Sequence, residues 1–231
     1  MKKSFALTAL LSVMACLTVV AQTPITPEQA LNKLKEGNQR FCNNQSVHGN
    51  LTHERMIETD KQGQHPYATI LGCSDSRVPV EAIFDAGIGE IFVVRVAGNV
   101  VDTHETGSIE YGVGHAHTPV LVVLGHSHCG AVTAVAQHAH VDGSIKPLVK
   151  NIKTAVEEAQ KSKGKEFNEG MLEEAIRCNV WLSVKNVLEQ SKEVRHLVKE
   201  GKLKVVGAYY HIHDGSIEWM GEHPSQKELI K

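Results

Sequence analysis

The sequence predicts an α/β fold: a single domain with a mostly parallel central sheet flanked by helices. Four apolar runs of strand character predict it, namely YATILG (67–72), IFVVRVA (91–97), PVLVVLG (119–125) and KLKVVGAYYHI (202–212). None alternates cleanly between polar and apolar residues, which is the pattern of strands buried on both faces, as parallel strands are. Helical periodicity fills the segments between them, and strands alternating with helices build a largely parallel sheet. At 231 residues, 42% hydrophobic and 22% charged, the chain fits one globular domain with terminal extensions. No repeat or low-complexity linker divides it.

Taken in order, residues 1–21 read as a secretory signal peptide. Two lysines precede an apolar stretch from Phe5 to Val20, and Val19-Val20-Ala21 offers a small-residue exit. Cleavage after Ala21 is expected, giving an exported protein that is periplasmic or secreted. A retained anchor is the alternative, for which the stretch is short. Lipidation at Cys16 is a second, against which the apolar run continuing past Cys16 argues.

The mature domain, residues 22–231, opens with TPEQALNKLKEGNQRF. Thr26 is placed to cap a helix, Pro27 to occupy its first position, and Gln29 to complete a capping box. Ala30, Leu31, Leu34 and Phe41 then recur at helical spacing. With the mostly polar stretch after it, this helix reads as an N-terminal helical arm over residues 22–64 that packs on a partner subunit. Further helices are expected over 104–116 and 129–140, with two or three between about 147 and 200.

The formal charge of −2 gives no general attraction to nucleic acid or to an anionic membrane, so neither is an expected partner. No membrane span is expected in the mature chain.

In α/β sheets, ligands bind beyond the carboxyl ends of the strands. Three of the four predicted strands end in CSDSR (73–77), RVAGN (95–99) and GHSHCG (125–130). Cys73, His126 and Cys129 offer two thiolates and an imidazole, the donors that zinc prefers. Three protein ligands leave a fourth tetrahedral position open, as catalytic zinc sites do. Asp75 is a candidate to occupy that position in a closed, inactive state. Export also raises disulfides among Cys42, Cys73, Cys129 and Cys178. Pairing Cys73 with Cys129 would leave His126, Asp75 and Arg77 unexplained. For Cys42 and Cys178, both free thiols and a disulfide stay open.

The motifs CSDSRVPVE, GEIFVVRVAGN, GSIEYGVGH and VLVVLGHSHCGAV, in this order and spacing, resemble those of the β-class carbonic anhydrases. The resemblance runs from about residue 26 to 215. It implies a zinc ion in each subunit held by Cys73, His126 and Cys129, and an Asp75–Arg77 dyad. It also implies reversible hydration of carbon dioxide to bicarbonate and a proton by a zinc-bound hydroxide. Hydrolysis of carbonyl sulfide or carbon disulfide, and a non-catalytic zinc or thiol module, are the alternatives. A homodimer is expected, with a tetramer open.

Arg77 favours ionised Asp75 and fixes its orientation. Val78, Phe92 and Val96 are candidates for an apolar substrate wall, and Gly98 and Gly130 for close backbone approach. His128 and His104 are candidate proton shuttles. In two places the chain departs from the family. Arg95 and Tyr210 match two parts of an inhibitory bicarbonate site found in one subgroup, but Ile70 replaces its tryptophan. Ala86 stands where many relatives carry glutamine. The regulatory pocket is therefore expected to be absent or weak.

Overall fold

The computed structural model describes residues 25–231, so the expected signal peptide and Cys16 lie outside it. Five strands form one sheet: β1 (Ala68–Gly72), β2 (Ile91–Arg95), β3 (Val120–His126), β4 (Lys204–Tyr210) and β5 (Ile217–Gly221). Their order is β2-β1-β3-β4-β5. The first four are parallel, and β5 pairs antiparallel with β4 at one edge. The chain crosses from β1 to β2 in one direction and then returns past β1 to β3. This places a topological switch point between β1 and β3, where such sheets bind their ligands.

Strand residues alternate between two apolar layers, which is why the runs carry no polar face. Ile70, Val122 and Val206 share a register row and enter one core, while Leu71 and Val123 enter the other. The first core is closed by α1 (Pro27–Cys42) and α3 (Val80–Ile83). The second is closed by α4 (Thr103–Glu110), α7 (Glu169–Gln190) and α8 (Lys192–Lys199). A third cluster, beyond the carboxyl ends of the strands, lies against α5 (Gly130–Ala136), α6 (Ile145–Lys163) and α7. Short α9 (Gln226–Leu229) ends the chain.

The capping box at Thr26 and Gln29 forms as expected. The helix it starts, however, does not project as an arm. Ala30 and Leu34 are fully buried in the chain's own core. Asn38 donates to the carbonyls of Ile83 and Gly215 at 3.3 and 2.8 Å. Gly37 lies so close to Phe84 that an added Cβ would sit 1.9 Å from its carbonyl oxygen.

The polar stretch behind it contains an unexpected helix, α2 (His53–Gln62), capped by Thr52 and burying no residue. The helix expected over 104–116 divides into α4 and a π-helical turn at Tyr111–His115. The segment from 147 to 200 holds α6, α7 and α8. Among the described residues, no helix is long and apolar enough to cross a membrane.

Candidate metal centre

β1 and β3 are hydrogen-bonded neighbours, with Gly72 at the end of β1 opposite Leu124 and β3 running two residues further to His126, so the segments leaving their carboxyl ends are brought together. Beyond β1 the backbone turns: the Val78 N–H donates to the Asp75 carbonyl at 3.0 Å. Beyond β3, His128 takes a left-handed φ of 54°, rare for a residue with a side chain, and reverses the chain between His126 and Cys129. The Ser127 hydroxyl ties this loop to the end of β4 by accepting from the Ile212 N–H at 3.0 Å.

These turns deliver Cys73, His126 and Cys129 to one point. Their ligand atoms all lie within 4.8 Å of one another, and all three residues are buried. His126 Nδ1 meets the Ser127 carbonyl at 3.0 Å, which places the proton on Nδ1 and leaves the Nε2 lone pair free. That Nε2 is buried and has no hydrogen-bond partner.

The two cysteines are free thiols rather than a disulfide. Their sulfurs lie within 4.8 Å of one another. The hydrogen bond from Cys129 holds the Cys73 thiol down to about 4, while burial raises it and His126 and the N–H groups of Gly98 and Asp75 lower it. Cys129 is pushed far above its usual range, first by that same bond and then by burial. Two buried sulfurs within 4.8 Å of an unpartnered imidazole nitrogen fit a divalent ion between them. Soft sulfur and nitrogen donors in this number favour zinc.

Asp75 lies beside the trio, its Oδ2 4.0 Å from His126 Nε2. It is held by Arg77, whose Nε and Nη2 donate to Oδ1 and Oδ2 at 3.0 and 2.8 Å. The Arg77 hydrogen bonds hold the Asp75 carboxyl far below the usual carboxylate range, against the opposing effect of burial. Arg95 clamps the same turn from the edge strand, donating to the carbonyls of Cys73 and Asp75 at 2.9 and 2.7 Å. This clamp is not apparent in the sequence, because the residue is fixed only by the register of β2 against β1.

Of the candidate wall residues, only Val96 packs against the apolar cluster that contains Cys73 and Cys129. Val78 is fully buried in the core under α1. Phe92 stacks on Tyr111, ring centroids 5.8 Å apart, at the sheet edge. Val100, Val132, Ile176 and Tyr209 belong to the same buried cluster as the two cysteines. Gly98 is buried, and its N–H donates to Cys73 Sγ at 3.2 Å. Gly130 is exposed, with nothing near its missing side chain. His128 and His104 are both exposed.

Ile70 and Tyr210 are buried in the core under α1, whereas Arg95 is turned away to its two carbonyls. Ala86 is buried in that same core. Cys42 and Cys178 are also free thiols, sited against Asn38 and Glu174. Burial pushes Cys178 up to about 11.

Comparison with known proteins places the chain in a family. The sequence model of the carbonic anhydrase family matches residues 68–217. A carbonic anhydrase from Mycolicibacterium smegmatis is 35% identical over 196 residues, covering 83% of this chain and 92% of the relative. Carbonic anhydrase 2 of Mycobacterium tuberculosis is 37% identical over 194 residues, covering 82% and 90%. Among solved structures, the β-carbonic anhydrase CafA of Aspergillus fumigatus superposes with a TM-score of 0.69 at 25% identity, covering 88% of this chain and 94% of that one. One of two tetrameric β-carbonic anhydrases from Sordaria macrospora gives 0.67 at 26% identity, covering 73% and 87%.

Proposed function

The chain belongs to the β-class carbonic anhydrases, an enzyme of that activity, and from this premise we propose that Cys73, His126 and Cys129 hold a zinc ion at which carbon dioxide is hydrated. One observation carries the proposal: two buried sulfurs converge on a buried imidazole nitrogen that has no partner. When bound, zinc supplies the Lewis acidity that makes water acidic enough to act as a nucleophile near neutral pH.

The chain's own residues do the rest. His126 is presented in one tautomer by the Ser127 carbonyl, so its Nε2 faces the site without rearrangement. Asp75, ionised throughout the working pH range, is too weak a base to remove a proton. It instead accepts a hydrogen bond and orients the attacking water. Arg77 fixes the plane of that carboxylate. Rotation of Asp75 into the ligand set would first require its three Arg77 bonds, two from the side chain and one from the backbone N–H, to break. The cysteines share a buried apolar cluster with Val100 and Ile176, an environment that suits an uncharged substrate.

Stopped-flow carbon dioxide hydration at about pH 8.5, on protein whose zinc content has been measured, tests this reading. Fast turnover with stoichiometric zinc is expected. Full zinc without turnover would overturn the activity, and negligible zinc would overturn the site.

We also propose export with cleavage after Ala21, tested by the mass of the mature chain. A homo-oligomer is proposed on the exposed apolar residues Val47, Leu51, Met56 and Ile57 around α2 and on the tetrameric relatives. Light scattering in solution tests it, and a monomer would overturn it.

A further inference from the structure

Gly98 and Asn99 lie consecutively in the left-handed backbone region, at φ 72° and 43°. Glycine and asparagine are among the residues that adopt this backbone most readily, so the sequence suits a tight left-handed turn here. Its effect is to aim the Gly98 N–H at Cys73 Sγ, 3.2 Å away. A side chain is disfavoured at position 98 both by the φ of 72° and by space, since a Cβ there would lie 2.7 Å from Ile152 Cδ1 and 3.2 Å from Ala131 Cβ.

The turn is held from behind by α7. Asn179 Nδ2 donates to the Gly98 carbonyl at 2.7 Å, and Ser183 Oγ donates to the Asn99 carbonyl at 2.9 Å. Asn179 and Ser183 are 1% and 2% exposed and stand one helical turn apart on a buried face otherwise composed of apolar residues. Polar groups are costly there unless fully paired, and Asn179 Oδ1 and Asn99 Nδ2 have no partner. Apolar residues would leave the buried carbonyls of Gly98 and Asn99 without these donors. What the polar pair adds is control of the turn.

We propose that Asn179 and Ser183 are positioning residues that fix the Gly98 N–H on the Cys73 sulfur and so set how strongly that sulfur donates to the bound metal ion. A hydrogen bond to a thiolate withdraws charge from its lone pairs. The ion then receives less charge and stays a stronger Lewis acid. Neither residue touches the reacting atoms. The inference rests on the reading of Cys73 as a metal ligand.

The test uses the whole chain loaded with surrogate metals. In wild-type protein carrying an NMR-active cadmium isotope, the Gly98 amide proton is expected to show a scalar coupling to the metal, transmitted through the sulfur. Asn179→Ala and Ser183→Ala are expected to weaken or abolish that coupling. In the cobalt forms, the same variants should move the sulfur-to-metal charge-transfer band to longer wavelength, and kcat/KM of the zinc forms should fall about tenfold or more. Ser183→Thr, which keeps the hydroxyl, should restore the wild-type band. A band unmoved in folded variants overturns the proposal, as does wild-type protein with bound cadmium and no Gly98 coupling. Should neither variant fold, the wild-type coupling decides alone. A chain that binds none of these metals sinks the ligand reading, and this inference with it.

Discussion

Arg77 grips Asp75 with two side-chain donors, at 3.0 and 2.8 Å, and with the same guanidinium reaches the His128 carbonyl at 3.1 Å. One side chain therefore joins the loop after β1 to the loop after β3, and orients the carboxylate between them. The Arg77 side chain is 49% exposed, so the pair contributes little to stability, about 0–1 kcal/mol. Its value is geometric. Arg77→Ala should lower kcat/KM about a hundredfold, the cost of misplacing an orienting group by an ångström or so. Thermal melting should move by no more than about 4 °C. A large fall in melting temperature with kcat/KM preserved would reverse this assignment.

Removing a ligand should separate metal from fold. Serine in place of Cys129 keeps the size but replaces a thiolate donor with a hydroxyl that stays protonated. Cys129→Ser is expected to lose stoichiometric zinc on dialysis against a chelator, as measured by elemental analysis. An ion held at a hundred times its dissociation constant stabilises the folded chain by about 2.7 kcal/mol. Chelation should therefore lower the wild-type melting temperature by roughly 5–10 °C and leave the variant unmoved.

Asp85 should dominate a distinct part of the acid response. Its side chain is wholly buried, and it accepts from Arg40 at 2.6 Å and from the N–H groups of Val47 and His48 at 3.1 and 3.0 Å. Burial alone would raise its pKa, but these three donors bring it below the usual carboxylate value. The unfolded chain therefore takes up the proton first as pH falls. The stabilisation is complete above the unfolded pKa of about 3.9 and is lost as pH drops below it. Asp85→Asn tolerates the local φ of 47° but removes the charge. It should cost on the order of 2–3 kcal/mol at pH 7. Its urea midpoint should then fall less than that of wild type between pH 5 and pH 3.

Gly37→Ala tests whether α1 sits on its own sheet. The added carbon would overlap the Phe84 carbonyl, which is backbone and cannot swing aside. Overpacking of this kind costs about 1–3 kcal/mol. A drop in melting temperature of several degrees is expected, and an unchanged melt would place the helix elsewhere.

The strands were legible because burial on both faces leaves uninterrupted runs of branched apolar residues, as in Val120–Leu124 between its two layers. β5 was not, since it is a short edge strand with no buried residue and an exposed Glu218. α2 escaped for a related reason: it buries nothing, so no apolar period marks it. Cys73, His126 and Cys129 stood out by donor chemistry at strand ends. Arg95, Asn179 and Ser183 did not, because each acts through a backbone group that tertiary contact alone brings near. Two polar residues a turn apart inside the apolar face of α7 were the available signal for the last pair. Val78 and Phe92 illustrate the opposite error, as apolar residues near a motif can belong to the core or to the sheet edge.

The ligand set straddles the point where the sheet reverses its winding, so no contiguous piece of chain carries all of it. A nascent chain exposes at most His126 with Cys129, a weak two-point chelate. Cys73 joins only once β1 has paired with β3, after the whole excursion through β2 and α4 has been laid down. On the proposed reading, the ion meets its full ligand set only after β1 and β3 have paired, so its capture follows assembly of the sheet.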